Sequence, residues 1–268
     1  HGRLQPAEMY GYVENNVASY TATSTVNECD DVFDSNGTFN ERVGEIHNNG
    51  DFEVLNYYSV RGVASNSSVG TISDQFTTKR SGIYRITLVG AGGASYAEGT
   101  MSSDGTITKA VSGTGGGGAG VILDIYLPAN TTLTVNSGYA GYWKTTVGVK
   151  RCYEGSASSL VLNENTSIVV SNGSMYSTSS NAAGGTVTIN GSWDIRATIL
   201  NSNGNTGHYS TLVGDVIPAC SGAESVVSGT NYGGSASHGQ ITFTPGQGTA
   251  FRPTGYASFS EIKLISTL

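Results

Sequence analysis

Charged residues are scarce in this chain, and it has no long apolar run. Only 12% of the 268 residues are Asp, Glu, Lys or Arg, and the formal net charge is −7. Such a chain has no basic field to displace counterions from a nucleic-acid backbone, so we expect no DNA or RNA binding. No stretch of about 18 apolar residues could span a bilayer, and no basic segment precedes an apolar signal core. We expect a soluble protein without membrane insertion, and any export signal to lie outside this sequence.

Cysteine and histidine are also rare, which limits the chemistry that the chain can carry. The three cysteines are an odd number, and their spacing matches no zinc or redox motif, although a bridge between Cys152 and Cys220 stays open. The four histidines lie far apart and include no His-x-x-x-His pair, which is more typical of surface loops than of a catalytic site. We therefore predict no catalytic residue, no metal-ligating residue and no enzyme.

One acidic segment, "ECDDVFDSNGTFN", concentrates oxygen ligands of the kind that calcium prefers. An EF-hand loop would need a ligand where this segment has Val32. We predict a solvated acidic loop and no cofactor, with a structural calcium ion as an open alternative. The oxygen-bearing residues are Glu28, Asp30, Asp31, Asp34 and Asn36.

Helical patterns are almost missing, and short strand patterns recur instead. No window of a dozen residues keeps an apolar stripe at i, i+3, i+4 and i+7. In "GIYRITLVG", Tyr84, Ile86 and Leu88 form one apolar face, and "SFSEIKLI" alternates in the same way. One buried and one solvated face in each strand indicates an all-β, antiparallel sandwich. The other predicted strands are "YGYVENN", "DFEVLNYYSV", "GVILDIYL", "TTLTVNSG", "SSLVLN", "TSIVVSNG", "GTVTING" and "QITFTP".

Glycine is abundant, and its longest run stands out. The nine residues "SGTGGGGAG" contain no side chain larger than threonine and lead directly into "VILDIYL". A phosphate-binding loop would end in Gly-Lys-Ser/Thr and open a helix, and neither feature is present. Only glycine lets extended backbones approach closely enough to pair N–H with C=O side by side. We predict that Gly115, Gly116, Gly117 and Gly118 seed such a packed layer; the alternative is a tight approach to the following strand.

Three segments share a pattern with a known superfamily: Gly82 to Leu88, Val121 to Val135 and Ser258 to Leu264. Together they resemble the jelly roll of the tumour necrosis factor and complement-head superfamily. With glycine-rich material between the strands, the chain is also similar to phage and bacterial trimeric fibre-tip adhesins and to the extracellular region of the anaplastic lymphoma kinase family. That receptor family has longer glycine runs and paired cysteines, so we favour the adhesins.

This resemblance implies a TNF-like jelly-roll sandwich with an inserted glycine-rich module of polyglycine or polyproline-II type. Residues 1–91 would form the first part of the jelly roll, and residues 241–268 would close it. Residues 92–240 would carry glycine-rich insertions interleaved with jelly-roll strands, among them residues 121–136.

The function that the resemblance implies is adhesion by the tip of a homotrimeric fibre. We expect an extracellular location, on a cell surface or a virion fibre, and loops that recognise a surface glycan or protein of a host or prey cell. The alternative is an extracellular receptor-type glycine-rich domain that binds a protein ligand.

Aromatic residues supply the candidate contact surface. Tyr139, Tyr142 and Trp143 lie among small polar residues in "SGYAGYWKTT", and Tyr and Trp are enriched at binding hot spots. We predict that these three residues contact the ligand. The alternative is that they cover neighbouring glycine tracts, which we expect of Tyr153, Tyr176, Tyr209 and Tyr232.

Overall fold

The structure is a computed structural model that describes most of the chain between residues 72 and 267. The predicted strand "YGYVENN" and the acidic segment of residues 28–40 lie outside the described residues. Those described are 18–20, 45–49, 54–58, 72–101, 103–104, 107–138, 142–146, 149–153, 155–177, 179–211, 216–217, 222–228, 232–235, 241–242, 248–250, 256 and 258–267.

Across these residues the chain forms β-strands and no helix, which confirms the all-β prediction. The strands are β1 (Ala18–Tyr20), β2 (Glu45–Asn49), β3 (Val54–Tyr58), β4 (Ile72–Thr77), β5 (Gly82–Val89), β6 (Tyr96–Met101), β7 (Ile107–Gly113), β8 (Gly120–Leu127), β9 (Thr132–Ser137), β10 (Tyr142–Thr146), β11 (Val149–Tyr153), β12 (Ser158–Asn163), β13 (Thr166–Val170), β14 (Val187–Asn190), β15 (Ile195–Ser202), β16 (Tyr209–Thr211), β17 (Val216–Ile217), β18 (Ile241–Thr242), β19 (Gly248–Ala250) and β20 (Phe259–Ser266).

Two antiparallel sheets contain most of these strands. The larger sheet has seven strands in the order β1-β2-β3-β20-β5-β8-β15, and the second has five in the order β14-β13-β12-β9-β4. A four-stranded sheet, β16-β7-β6-β19, and the two-stranded pairs β10-β11 and β17-β18 complete the pattern. The two large sheets draw several strands from residues 92–240, since β12 to β15 belong to them in addition to β8 and β9.

The two large sheets pack against each other over one apolar core. Tyr84, Ile86 and Leu88 of β5 are fully buried, as their alternation predicted, and they meet the equally buried Leu160 and Ile168 of the opposite sheet. Burial of each large apolar side chain contributes about 1.5–3 kcal/mol. This core therefore holds the two large sheets together.

The other face of β5 is less solvated than the alternation predicted. Val89 is fully buried and Thr87 is 8% exposed, so the expectation of a wet face is wrong for this strand. Val89 lies under Gly233, a residue far along the chain. Arg85 is half-buried and forms a bidentate ion pair with Asp124 of β8, with N···O distances of 2.8 and 3.0 Å. The hydrogen bond to Asp124 raises the pKa of Arg85.

Buried serines join the two sheets at one end of the sandwich. The hydroxyl of Ser260 on β20 hydrogen-bonds to those of Ser137 on β9, at 2.7 Å, and Ser158 on β12. All three side chains are fully buried. Their hydroxyls satisfy one another and the Asn136 carbonyl oxygen, so no unpaired hydroxyl is left in the core at this point.

Replacing Ser260 by alanine should destabilise the protein, because two buried serines would each lose a partner. We expect Ser260→Ala to lower the free energy of unfolding by about 1–3 kcal/mol. Chemical denaturation followed by tyrosine and tryptophan fluorescence measures this. Ser192→Ala, at an exposed loop position, is the matched control and should stay within about 0.5 kcal/mol of the wild type. Equal stabilities of the two variants would contradict a structural role for the serine cluster.

Glu261 of β20 makes stability depend on pH. Burial raises its pKa, and its register partners, Thr87 and Asn56, are uncharged. A carboxyl group with a raised pKa in the folded state takes up a proton on folding, so stability should fall as pH rises from the ordinary carboxyl pKa through the raised one. Glu261→Gln should therefore be more stable than the wild type at pH 7, and the difference should vanish below about pH 4. Denaturation curves across this range test it, with the exposed Glu164→Gln as the control that should show no such gain.

Candidate functional site

Several segments outside any strand continue from one end of the sandwich. Register places the end of β5 beside the start of β8, and the end of β15 beside the same start. The end of β13 lies beside the start of β14 in the other sheet. We call the segments that adjoin these strand ends the glycine-rich bundle; they are residues 90–95, 114–119, 171–177, 181–186 and 203–208, together with residues 233–235.

The central segment of the bundle, residues 114–119, is hydrogen-bonded on several sides. Amide groups three positions apart donate to the same side of the segment. Two donate to residues 205–208, two to residues 171–174, and two to Ser95 and Gly233. A repeat of three is the number of residues per turn of a polyproline-II helix. The bonds are Thr114 N to His208 O (2.7 Å), Gly117 N to Asn205 O (2.8 Å), Gly116 N to Ser174 O (2.8 Å), Ala119 N to Ser171 O (3.0 Å), Gly115 N to Ser95 Oγ (3.4 Å) and Gly118 N to Gly233 O (2.6 Å).

Carbonyl groups of the same segment accept bonds from further neighbours. The Gly116 oxygen accepts from Gly93 at 2.8 Å, and the Gly117 oxygen accepts from Gly185 at 2.8 Å. Neighbouring segments also bond to one another, as Gly204 N does to the Gly185 oxygen at 2.9 Å. Residues 113–120 are all buried, and these lateral bonds satisfy backbone groups that burial would otherwise leave unpaired.

The close packing of the run leaves no room for side chains at three of its four glycines. A Cβ on Gly116 would lie closer than 3.0 Å to the Ala183 carbonyl oxygen, and one on Gly118 would meet Gly90 in the same way. Gly115 faces the backbone of Gly93 equally closely. Gly117 has more room, since a Cβ there would lie 3.0 Å from its nearest neighbour. The glycines therefore serve close backbone approach to several segments, and not only to the following strand.

The bundle stands between the sandwich and the four-stranded sheet. β6 begins at Tyr96, directly after one bundle segment, β7 ends at Gly113, directly before the central one, and β16 begins at Tyr209 after a third. The three residues are in register, Tyr96 opposite Gly113 and Gly113 opposite Tyr209. We call this four-stranded sheet, β16-β7-β6-β19, the distal sheet, because it continues from the bundle ends that face away from the sandwich.

The predicted contact residues fall on a separate hairpin. Tyr139 lies outside the described residues, while Tyr142 and Trp143 begin β10 and pair in register with Tyr153 and Cys152 of β11. The hairpin β10-β11 follows β9 and precedes β12, so it leaves the sandwich at the end that adjoins the bundle. Ligand contact by these residues stays a prediction.

Two of the tyrosines that we expected to cover glycine tracts, Tyr176 and Tyr209, have different environments. Tyr176 does cover a glycine, since its Cβ and Cδ2 lie 3.2 and 3.4 Å from the position of a Cβ on Gly113. Tyr209, however, is 43% exposed, and so is Met175 at 40%. The sequence patterns did not indicate that Tyr209 and Met175 are exposed. The available signal was that Tyr176 and Tyr209 lie in glycine-rich, uncharged segments.

Within the part of the chain that the structure describes, no group of three His, Cys, Asp or Glu residues is placed to hold a metal ion. The described residues also include no helix that is long and apolar enough to cross a membrane. No model of a known protein family matches the chain, and a search of curated proteins finds no significant match.

Gly116→Ala and Gly117→Ala form a matched pair that tests the bundle. The first variant forces a methyl group against the Ala183 carbonyl oxygen, whereas the second meets its nearest atom only at 3.0 Å. We expect Gly116→Ala to lower the free energy of unfolding by about 1–3 kcal/mol, as overpacking does, and Gly117→Ala to cost clearly less. Thermal and chemical unfolding measure both. A flexible linker would tolerate the two changes equally, and that outcome would contradict the packed arrangement.

Proposed function

We propose that this chain is a non-enzymatic adhesin: the receptor-binding tip of a fibre, acting outside the cell on a cell surface or virion. The observation that carries the proposal is the glycine-rich bundle, a set of hydrogen-bonded backbone segments around the buried residues 114–119, between the sandwich and the distal sheet. We take its three-residue hydrogen-bond repeat to mean that the segments are packed polyproline-II-type helices.

Such a bundle suits recognition because it holds several loops on a rigid support. Binding residues in proteins are commonly placed on loops that a rigid scaffold positions. Each of the five longer bundle segments joins the sandwich at one end and a loop or distal strand at the other, as residues 90–95 and 114–119 do for β6 and β7. Because glycine segments pack closely, a narrow bundle can carry several loops. Preorganised loops lose less conformational entropy on binding.

We propose further that the sandwich is a TNF-like jelly roll that assembles as a homotrimer. Support comes from β15, the last strand in the order of the seven-stranded sheet, because edge strands readily associate with other chains. Its side chains include two large apolar ones that are exposed, Ile195 at 37% and Ile199 at 50%. An assembly that covers β15 would remove both from water.

Light scattering of the purified full chain, together with binding to intact cells and to a glycan array, tests this proposal. We expect a mass three times the 27.7 kDa of one chain and saturable binding without turnover of the bound partner. Ile199→Asp should shift the mass towards the monomer because it places a charge in the contact, whereas Ser192→Asp, at an exposed loop position, should leave it unchanged. A monomer that binds neither cells nor glycans would overturn the adhesin assignment.

A further inference from the structure

Gly113 lies where the central bundle segment meets the distal sheet, and it is buried. A Cβ at this position would lie 2.7 Å from the Ser177 carbonyl oxygen and 3.2 Å from the Tyr176 Cβ, so the segment of residues 175–177 covers this side of Gly113. Tyr209 is the register partner of Gly113 on β16. Directly opposed residues of an antiparallel pair project to the same face, so the Tyr209 side chain lies on the side that Tyr176 covers.

The two tyrosines differ in exposure in a way that suits binding. Tyr176 is half-buried, and its amide donates to the Ala94 oxygen at 2.8 Å, which holds it to the bundle. Tyr209 is 43% exposed, and two hydrogen bonds anchor its neighbour His208 to Thr114: the His208 oxygen accepts from the Thr114 amide, and the His208 amide donates to the Thr114 hydroxyl. The backbone that presents each ring is therefore fixed, while part of the aromatic surface stays open to solvent.

The segments that carry the two tyrosines contain hydroxyl-bearing residues and no charged residue, and the charged residue of β7 is Lys109, four positions from Gly113. Residues 165–193 and 197–214, which carry Tyr176 and Tyr209, contain no Asp, Glu, Lys or Arg. Beside Tyr176, the Ser177 hydroxyl accepts from the amides of Ser179 and Ser180 at 3.2 and 3.1 Å and so orders an exposed serine turn. Recognition of a phosphate or carboxylate normally uses Arg or Lys, which these segments lack.

We propose that Tyr176 and Tyr209, which lie on the same side of Gly113, form a binding site for a neutral sugar ring of a surface glycan. A sugar ring has an apolar C–H face, which matches an exposed aromatic ring, and peripheral hydroxyls, which match serine hydroxyls and backbone groups. Because Gly113 has no side chain, Tyr176 packs directly against it, on the same side as Tyr209. This proposal rests on the proposed adhesin function. It places ligand recognition at the distal end of the bundle instead of at the β10-β11 hairpin.

The test uses the full chain on an array of immobilised neutral glycans and, in a second arm, sialylated and sulfated glycans. We expect binding to neutral glycans, and Tyr209→Ala should weaken it about tenfold or more, as truncation of an aromatic hot spot does. Tyr209→Phe keeps the ring and should stay within about threefold of the wild type, which corresponds to well under 1 kcal/mol. Tyr126→Ala, at the far end of β8, is the matched tyrosine control and should bind like the wild type. Thermal unfolding of each variant checks that it is folded.

The outcomes distinguish a failure of this proposed site from a failure of the proposed adhesin function. Glycan binding that survives Tyr209→Ala in a folded variant overturns this site and leaves the adhesin function standing. Binding only to charged glycans, or only to a protease-sensitive component of the cell surface, overturns the neutral-sugar assignment and likewise leaves adhesion intact. Binding to neither glycans nor cells overturns both. Should Tyr209→Ala fail to fold, loss of binding in Tyr209→Leu at an unchanged unfolding midpoint decides for the site, and retained binding decides against it.

Discussion

The hydrogen bonds that join the buried residues 114–119 to the other segments of the glycine-rich bundle are the constraint on which the rest of the described structure depends. Ordering glycine costs roughly 0.5–1 kcal/mol more per residue than ordering alanine. Each buried N–H and C=O must also find a partner. A net gain of about 0.5–1.5 kcal/mol per hydrogen bond offsets these costs only where nearly every group is paired. In residues 114–119 the six amides all donate, and the partners lie on three sides.

The sandwich supplies the positions from which this pairing becomes possible. Its apolar core aligns the ends of β5, β13 and β15 with the starts of β8 and β14, so the segments continue into the bundle side by side. The buried serine cluster fastens the two sheets at this same end. Strand register, and not any local preference of the glycine segments, therefore determines which backbones become neighbours. The bundle in turn orients the strands of the distal sheet, and with them the surface around Tyr209.

Local sequence patterns were sufficient to predict the strands of the core, but they did not predict some of the others. The alternation of Tyr84, Ile86 and Leu88 identified the buried face of β5, because side chains two positions apart share a face in any strand. β15 escaped notice because it is an exposed edge strand whose pairing with β8 is interrupted by two irregularities, so no clear alternation marks it. The buried state of Val89 was also missed, since it depends on Gly233 lying over it.

By itself, the sequence determined that the chain is all-β and that its longest glycine run is neither a phosphate loop nor the start of a helix, because composition and period-two alternation are local properties. It also pointed to close backbone packing, since only glycine permits it. Tertiary structure alone decided the partners of that run: Ser174, Asn205 and Gly233 lie more than fifty residues away in the chain. It likewise decided that Tyr209 stays open while Tyr176 covers Gly113. Glycines carry no side chain that could encode a partner, so their neighbours follow from the register of the strands that hold them.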